Sequence, residues 1–119
     1  MANQIIMVDT SILIDYFRKK DKSKTKLFSL SQKFENLCIS SITEFEIYTG
    51  ASGEQLDFWK MMLSNFITFP FDSDAALVAV KIQNKLKKLR KVIDKADLFI
   101  AAIAVNHNFN FRYPKSKTF

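Results

Sequence analysis

Ile5-Ile6-Met7-Val8-Asp9-Thr10-Ser11 decides the fold of this chain. Four apolar residues, three of them β-branched, read as a short strand buried on both faces. The run stops on a carboxylate, Asp9. Thr10 and Ser11, residue types that cap helices, come next, and Ile12-Leu13-Ile14 resumes the apolar pattern. A buried strand that ends on an acid and turns at once into a helix puts Asp9 at the carboxyl edge of a sheet. In open α/β sheets that edge binds ligands. Asp9 is therefore either a site residue or simply the cap of the first helix.

Working outward, a helix is expected over 11–18, then the charged stretch Arg18-Lys19-Lys20-Asp21-Lys22 and an amphipathic segment from Lys24 to Lys33. Leu37-Cys38-Ile39 is a second strand candidate ending at Ser40-Ser41, followed by helices over 42–48 and 54–65. Ile67-Thr68-Phe69-Pro70-Phe71 is a third strand candidate. Pro70 places it at an edge or near its own end. Asp72-Ser73-Asp74 caps a long helix to about Lys91, with Val78, Ile82, Leu86 and Leu89 as its apolar stripe. The last helix, 96–105, is apolar nearly all round and belongs in the core. Strands alternating with helices predict a mainly parallel sheet covered on both faces.

Composition agrees. A chain of 119 residues with twelve Phe has material for one core, so a single domain over 1–119 is expected. Two Gly and two Pro are too few for a sandwich of tight turns. The single cysteine, Cys38, reads as a core residue and permits no disulfide framework or zinc site, which suits a cytoplasmic protein. No apolar run approaches membrane-spanning length. The formal charge of +6 points to an anionic partner, nucleic acid first. Lys81, Lys85 and Lys88, with Lys87, Arg90 and Lys91 beside them, gather that charge on the long helix. They form either a solvated face or one suited to a polyanionic backbone.

Two further carboxylates share the theme of Asp9. Ser41-Ile42-Thr43-Glu44 has the form of a capping box, which gives Glu44 a structural role. With Ile42 as zero on the helical wheel, Glu46 lies about 40° away, inside an apolar stripe with Phe45 on the same side. An inward carboxylate needs a cation, a hydrogen-bond cluster or a raised pKa. Asp97 opens the most apolar helix, Asp94 stands three residues earlier as a candidate N-cap, and a purely structural role in the helix dipole is open to Asp97 too. Three carboxylates at one sheet edge would be joined by a hard cation, Mg²⁺ or Mn²⁺. His107, the only histidine, has no zinc-like spacing and reads as a surface residue, and there is no Gly-rich phosphate loop.

Val8-Asp9-Thr10-Ser11, then Ile39-Ser40-Ser41-Ile42-Thr43-Glu44-Phe45-Glu46-Ile47-Tyr48-Thr49-Gly50, then Ala96-Asp97-Leu98-Phe99-Ile100-Ala101-Ala102 together resemble a PIN domain, most closely the VapC-type toxins of prokaryotic toxin–antitoxin pairs. The resemblance implies a three-layer α/β/α fold and a Mg²⁺- or Mn²⁺-dependent endoribonuclease. It also implies a homodimer silenced by a cognate antitoxin that inserts a segment into the active-site groove. It places the family's first three acids on Asp9, Glu46 and Asp97, as both metal ligands and catalytic residues. The C-terminus departs from the pattern: Tyr113 stands where the family has Thr, and Lys115 where it has a fourth polar or acidic residue. A change of reading frame near residue 112 would account for the abruptness. An alternative function follows, a catalytically impaired remnant that binds an antitoxin or RNA without cleaving. A receiver-like signalling domain phosphorylated on Asp9 is disfavoured by the basic balance and the lack of an acidic pair beside Asp9. Phe28 and Trp59 are candidates for lining a partner groove, or else ordinary core residues.

Overall fold

Alternation along the first strand builds the two faces of the sheet. In the computed structural model, which describes residues 5–108 and the backbone of 110–112, β1 (Ile5–Val8) sends Ile6 and Val8 to one side and Met7 to the other. Ile6 and Val8 join Ile39 of β2 (Asn36–Ser40). Against them pack residues of α1 (Thr10–Arg18), α2 (Lys26–Lys33) and α4 (Glu54–Leu63), with Ile47 of α3 (Ser41–Thr49). Met7 and Cys38 meet Ala75 of α5 (Ser73–Lys88) and Ile100, Ile103 and Ala104 of α6 (Lys95–Asn106). Helices on both faces of a sheet make the three-layer α/β/α architecture expected from the sequence.

The sheet is completed by β3 (Ile67–Phe69) and β4 (Asn110–Arg112), in the order β3-β2-β1-β4 with every pairing parallel. β3 is an edge strand and ends immediately before Pro70, which has no N–H to offer a ladder. β4 pairs with β1 in the register Ile6↔Asn110, Met7↔Phe111 and Val8↔Arg112. The expectations for Tyr113 and Lys115 fall outside the described residues. Among the described residues no helix is long and apolar enough to cross a membrane.

Several local expectations need correction. The long helix ends at Lys88, and Leu89 is 60% exposed instead of continuing the stripe. Leu86 is buried and Val78 and Ile82 pack on the core as expected, but the buried line also holds Ala75 and Ala79, because alanines let α5 lie close to Ala102 and Leu98 of α6, and a search for large apolar residues passes over them. Of the two alternatives for Trp59 the core one holds: it is buried in a three-ring cluster with Phe17 and Phe58, while Phe58 and Met61 carry the outer face of α4. His107 is half-buried, its ring 4.7 Å from that of Phe69, and not a surface residue.

Cys38 sits in the core as expected, fully buried, and burial pushes its thiol up to about 12. Only the thiolate attacks disulfide reagents. The native protein should therefore leave a chromogenic disulfide reagent uncoloured at pH 8 and react with it stoichiometrically in denaturant. Rapid labelling of the folded protein would refute this placement.

Candidate active site at the carboxyl edge of the sheet

Three helices begin at or shortly after the ends of strands. Asp9 links β1 to α1, Ser40 is both the last residue of β2 and the N-cap of α3, and Asp72 caps α5 shortly after β3. Their N-termini, with the positive ends of their dipoles, gather at one edge of the sheet, which favours anions there. From β1 the chain steps outward through β2 to β3 with α1, α2 and α4 on one face, then crosses back over α5 and α6 on the other face to β4, so the strand order reverses beside β1. That is a topological switch point, where doubly wound sheets open a crevice.

Asp9 occupies the switch point and is 3% exposed. Its Oδ1 accepts the backbone N–H of Ser11, and the Ser11 hydroxyl donates to the same oxygen at 2.8 Å. Asp9 is thus itself the N-cap, whereas Thr10 and Ser11 lie within the first turn of α1. Both bonds fall on Oδ1, and neither uses Oδ2.

Thr10 faces across to α3. Its hydroxyl donates to Glu46 Oε1 at 2.5 Å, a length usual for a hydroxyl on a carboxylate. Thr10 Oγ1 also lies 3.3 Å from Thr43 Oγ1, which in turn lies 3.3 Å from Ser40 Oγ. The Thr43 N–H donates to Ser40 Oγ at 3.0 Å, so the helix is capped from Ser40. Ser41 does not act as the cap of a box with Glu44. It is already helical, and its hydroxyl accepts the Phe71 N–H at 3.3 Å, tying the end of β3 to the start of α3.

This shifts the wheel of α3. Its buried residues are Thr43 and Ile47, so Glu46 lies on one flank of the buried face and Glu44 on the other, both half-buried. Phe45 is 68% exposed and shares no buried stripe with Glu46. Glu46 is held at its position by a hydroxyl, not by apolar packing.

Asp97 comes from the opposite layer. It is half-buried in the first turn of α6, a helix that packs against α3 as well as α5. Asp94 holds the N-cap position of α6 but makes no side-chain capping bond. The structure thus sets Glu46 against Thr10, the residue that follows Asp9 in the chain. Among the described residues, however, no three His, Cys, Asp or Glu side chains stand together as a preformed metal cage. The donor chemistry still fits a hard cation: Asp9 and Glu46 offer carboxylate oxygens alone. Mg²⁺ commonly takes one or two carboxylates and completes its shell with water and substrate phosphate. Ser40, Thr43 and the partnership of Thr10 with Glu46 were not legible as site features. The one signal was a hydroxyl residue at or just past the end of each of two strands.

The PIN domain family profile matches residues 6–111. Ribonuclease VapC1 of Methanocaldococcus jannaschii is 35% identical over 105 residues, covering 87% of this chain and 71% of the relative. Among solved structures, VapBC-1 from nontypeable Haemophilus influenzae superposes with a TM-score of 0.79 at 23% identity, covering 95% of this chain and 88% of that one. A toxin–antitoxin complex from Klebsiella pneumoniae gives 0.73 at 27% identity, covering 94% and 88%. Asp9, Glu46 and Asp97 all lie within the matched stretch, and the chain belongs to the PIN domain family, among its VapC-type members.

Proposed function

We propose that this chain is a metal-dependent endoribonuclease, the toxin of a type II toxin–antitoxin pair, hydrolysing RNA phosphodiesters. The observation that carries the reading is Asp9, buried at the switch point of the sheet, with the next residue, Thr10, holding Glu46 of α3. Kinship with a ribonuclease named VapC1 supports the reaction class. Asp9 and Glu46 would hold Mg²⁺ or Mn²⁺, with Asp97 as the third acid of the site. Such an ion, when bound, lowers the pKa of a water and offsets charge on a phosphoryl oxygen. The protein's own part is positional: Ser11 fixes one oxygen of Asp9, Thr10 fixes one oxygen of Glu46, and three helix N-termini favour the phosphate.

The partner would be a cognate antitoxin, in keeping with the toxin–antitoxin complex from Klebsiella pneumoniae. A groove of about 370 Å³ at the amino edge of the sheet, away from Asp9, is lined by Tyr16, Phe28, Phe34, Met62 and Phe66 together with Ser31, Glu35, Asn36 and Asn65, and offers an amphipathic seat for a further part of it. A homodimer in the cytoplasm completes the reading.

Purified protein should cut single-stranded RNA with Mg²⁺ or Mn²⁺ and stop in EDTA, with activity restored by excess cation. Cutting that persists in EDTA would refute the metal-dependent mechanism. The second reading, a remnant that binds without cleaving, is motivated by Tyr113 and Lys115 at positions where the family has Thr and a polar or acidic residue. Folded protein that captures antitoxin yet never cuts RNA in either metal would favour it.

A further inference from the structure

Five of the six excess positive charges of the chain fall between Lys85 and Lys95. Six cations there (Lys85, Lys87, Lys88, Arg90, Lys91 and Lys95) meet one carboxylate, Asp94. All six are exposed, and among the described residues none of them forms an ion pair. Lys81 extends the patch one helical turn back along α5.

The backbone adds an independent observation. α5 ends in a Schellman turn, with Lys91 N–H on Leu86 O at 2.9 Å and Arg90 N–H on Lys87 O at 3.0 Å. The residue at its bend is Arg90, at φ +56°. Glycine is the usual occupant of that position, because a Cβ in the left-handed region is strained. The other described side chain at positive φ is Asn108, a type that tolerates it. Keeping a guanidinium at a bend suited to glycine costs stability, so its charge is the gain to look for. The connection runs directly into the first turn of α6, where Lys95 stands two residues before Asp97.

We propose that the α5–α6 connection, Lys85–Lys95 with Arg90 at its bend, is the surface that grips the phosphate backbone of RNA beside Asp97. The proposal rests on the ribonuclease reading above. Uncompensated, closely spaced cations suit a polyanion, and phosphate contacts of this kind bring no base specificity.

The test is fluorescence anisotropy of a labelled 20-nucleotide single-stranded RNA of mixed sequence with the full chain, in EDTA so that it is not cut, over a series of KCl concentrations. The variant Lys87→Gln/Lys88→Gln/Lys91→Gln should lower the slope of log affinity against log salt by about 2, since each single-strand phosphate contact contributes about 0.7. Lys24→Gln/Lys26→Gln/Lys33→Gln, on the far layer, should leave it unchanged. Arg90→Gly should bind RNA more weakly yet melt at a higher temperature, a pairing that a merely structural arginine would not produce. An unchanged slope in the first variant, or equal losses from both triple variants, overturns the proposal. So does binding to phosphatidylserine vesicles that depends on the patch while RNA binding does not. A parallel cleavage assay separates the two readings. RNA gripped through the patch but never cut sinks the nuclease reading alone, and RNA cut normally by a variant with an unchanged slope sinks the patch alone.

Discussion

Asp9→Asn should lower RNA cleavage by about two to three orders of magnitude, the loss typical of removing one electrostatic stabiliser of a transition state, and leave the fold intact. Asp9→Ala should lose both activity and stability. The distinction follows from the two roles that one side chain plays. Asp9 caps α1 through Oδ1, and Asn is as good a cap as Asp because its carbonyl oxygen accepts the same Ser11 N–H. Alanine removes the acceptor and with it the N-cap of α1, which costs about 0.5–2 kcal/mol. Neither substitution retains the negative charge. Urea unfolding measured beside single-turnover cleavage separates the roles. An asparagine variant that cuts at the wild-type rate would leave Asp9 a cap and nothing more, and the proposed site would have no centre.

What the sequence made legible was whatever is encoded within a few residues. The buried strand Ile5–Val8, the acid that ends it, the stop at Pro70 and the apolar run of α6 each carry their own local signal. What it hid was whatever depends on another element. Ser40 and Ser41 are adjacent hydroxyls, and the spacing to Glu44 favours the wrong one. The cap is Ser40 because β2 delivers it there, while Ser41 is claimed by Phe71, thirty residues away. Trp59 is large and amphipathic in context, and only the packing of α4 onto the core, where it meets Phe17, decides that it is buried. The alanines of α5 are silent in a hydrophobic pattern until α6 lies against them. The site divides in the same way. Asp9 announces itself, whereas the bond from Thr10 to Glu46 joins residues 36 apart and belongs to the packing of α1 on α3. The wheel argument selected Glu46 over Glu44, but it invoked an apolar stripe with Phe45, which the exposure of Phe45 removes. The hydroxyl partner is the physical reason that remains.

That reason gives the second large effect. Glu46→Gln should lower cleavage about a hundredfold, whereas Glu44→Gln should stay within about twofold of wild type, although both carboxylates are half-buried on the same short helix. Glutamine keeps a carbonyl oxygen that can accept the Thr10 hydroxyl, so the side chain stays where Thr10 holds it and only its charge is lost. Thr10→Val is the complementary change, since the charge stays and the restraint goes. Its expected loss is about tenfold, because a mobile carboxylate still visits its position for part of the time. Because Thr10 and Glu46 touch, the double variant Thr10→Val/Glu46→Gln should be no worse than Glu46→Gln alone. Once the charge is gone, holding its position gains nothing, and contacting residues are expected to depart from additivity. Additive losses would place Thr10 in a role of its own at the substrate. Equal losses from Glu44→Gln and Glu46→Gln would mean that the negative potential of α3 as a whole matters and not one ligand, and Glu46 would leave the site.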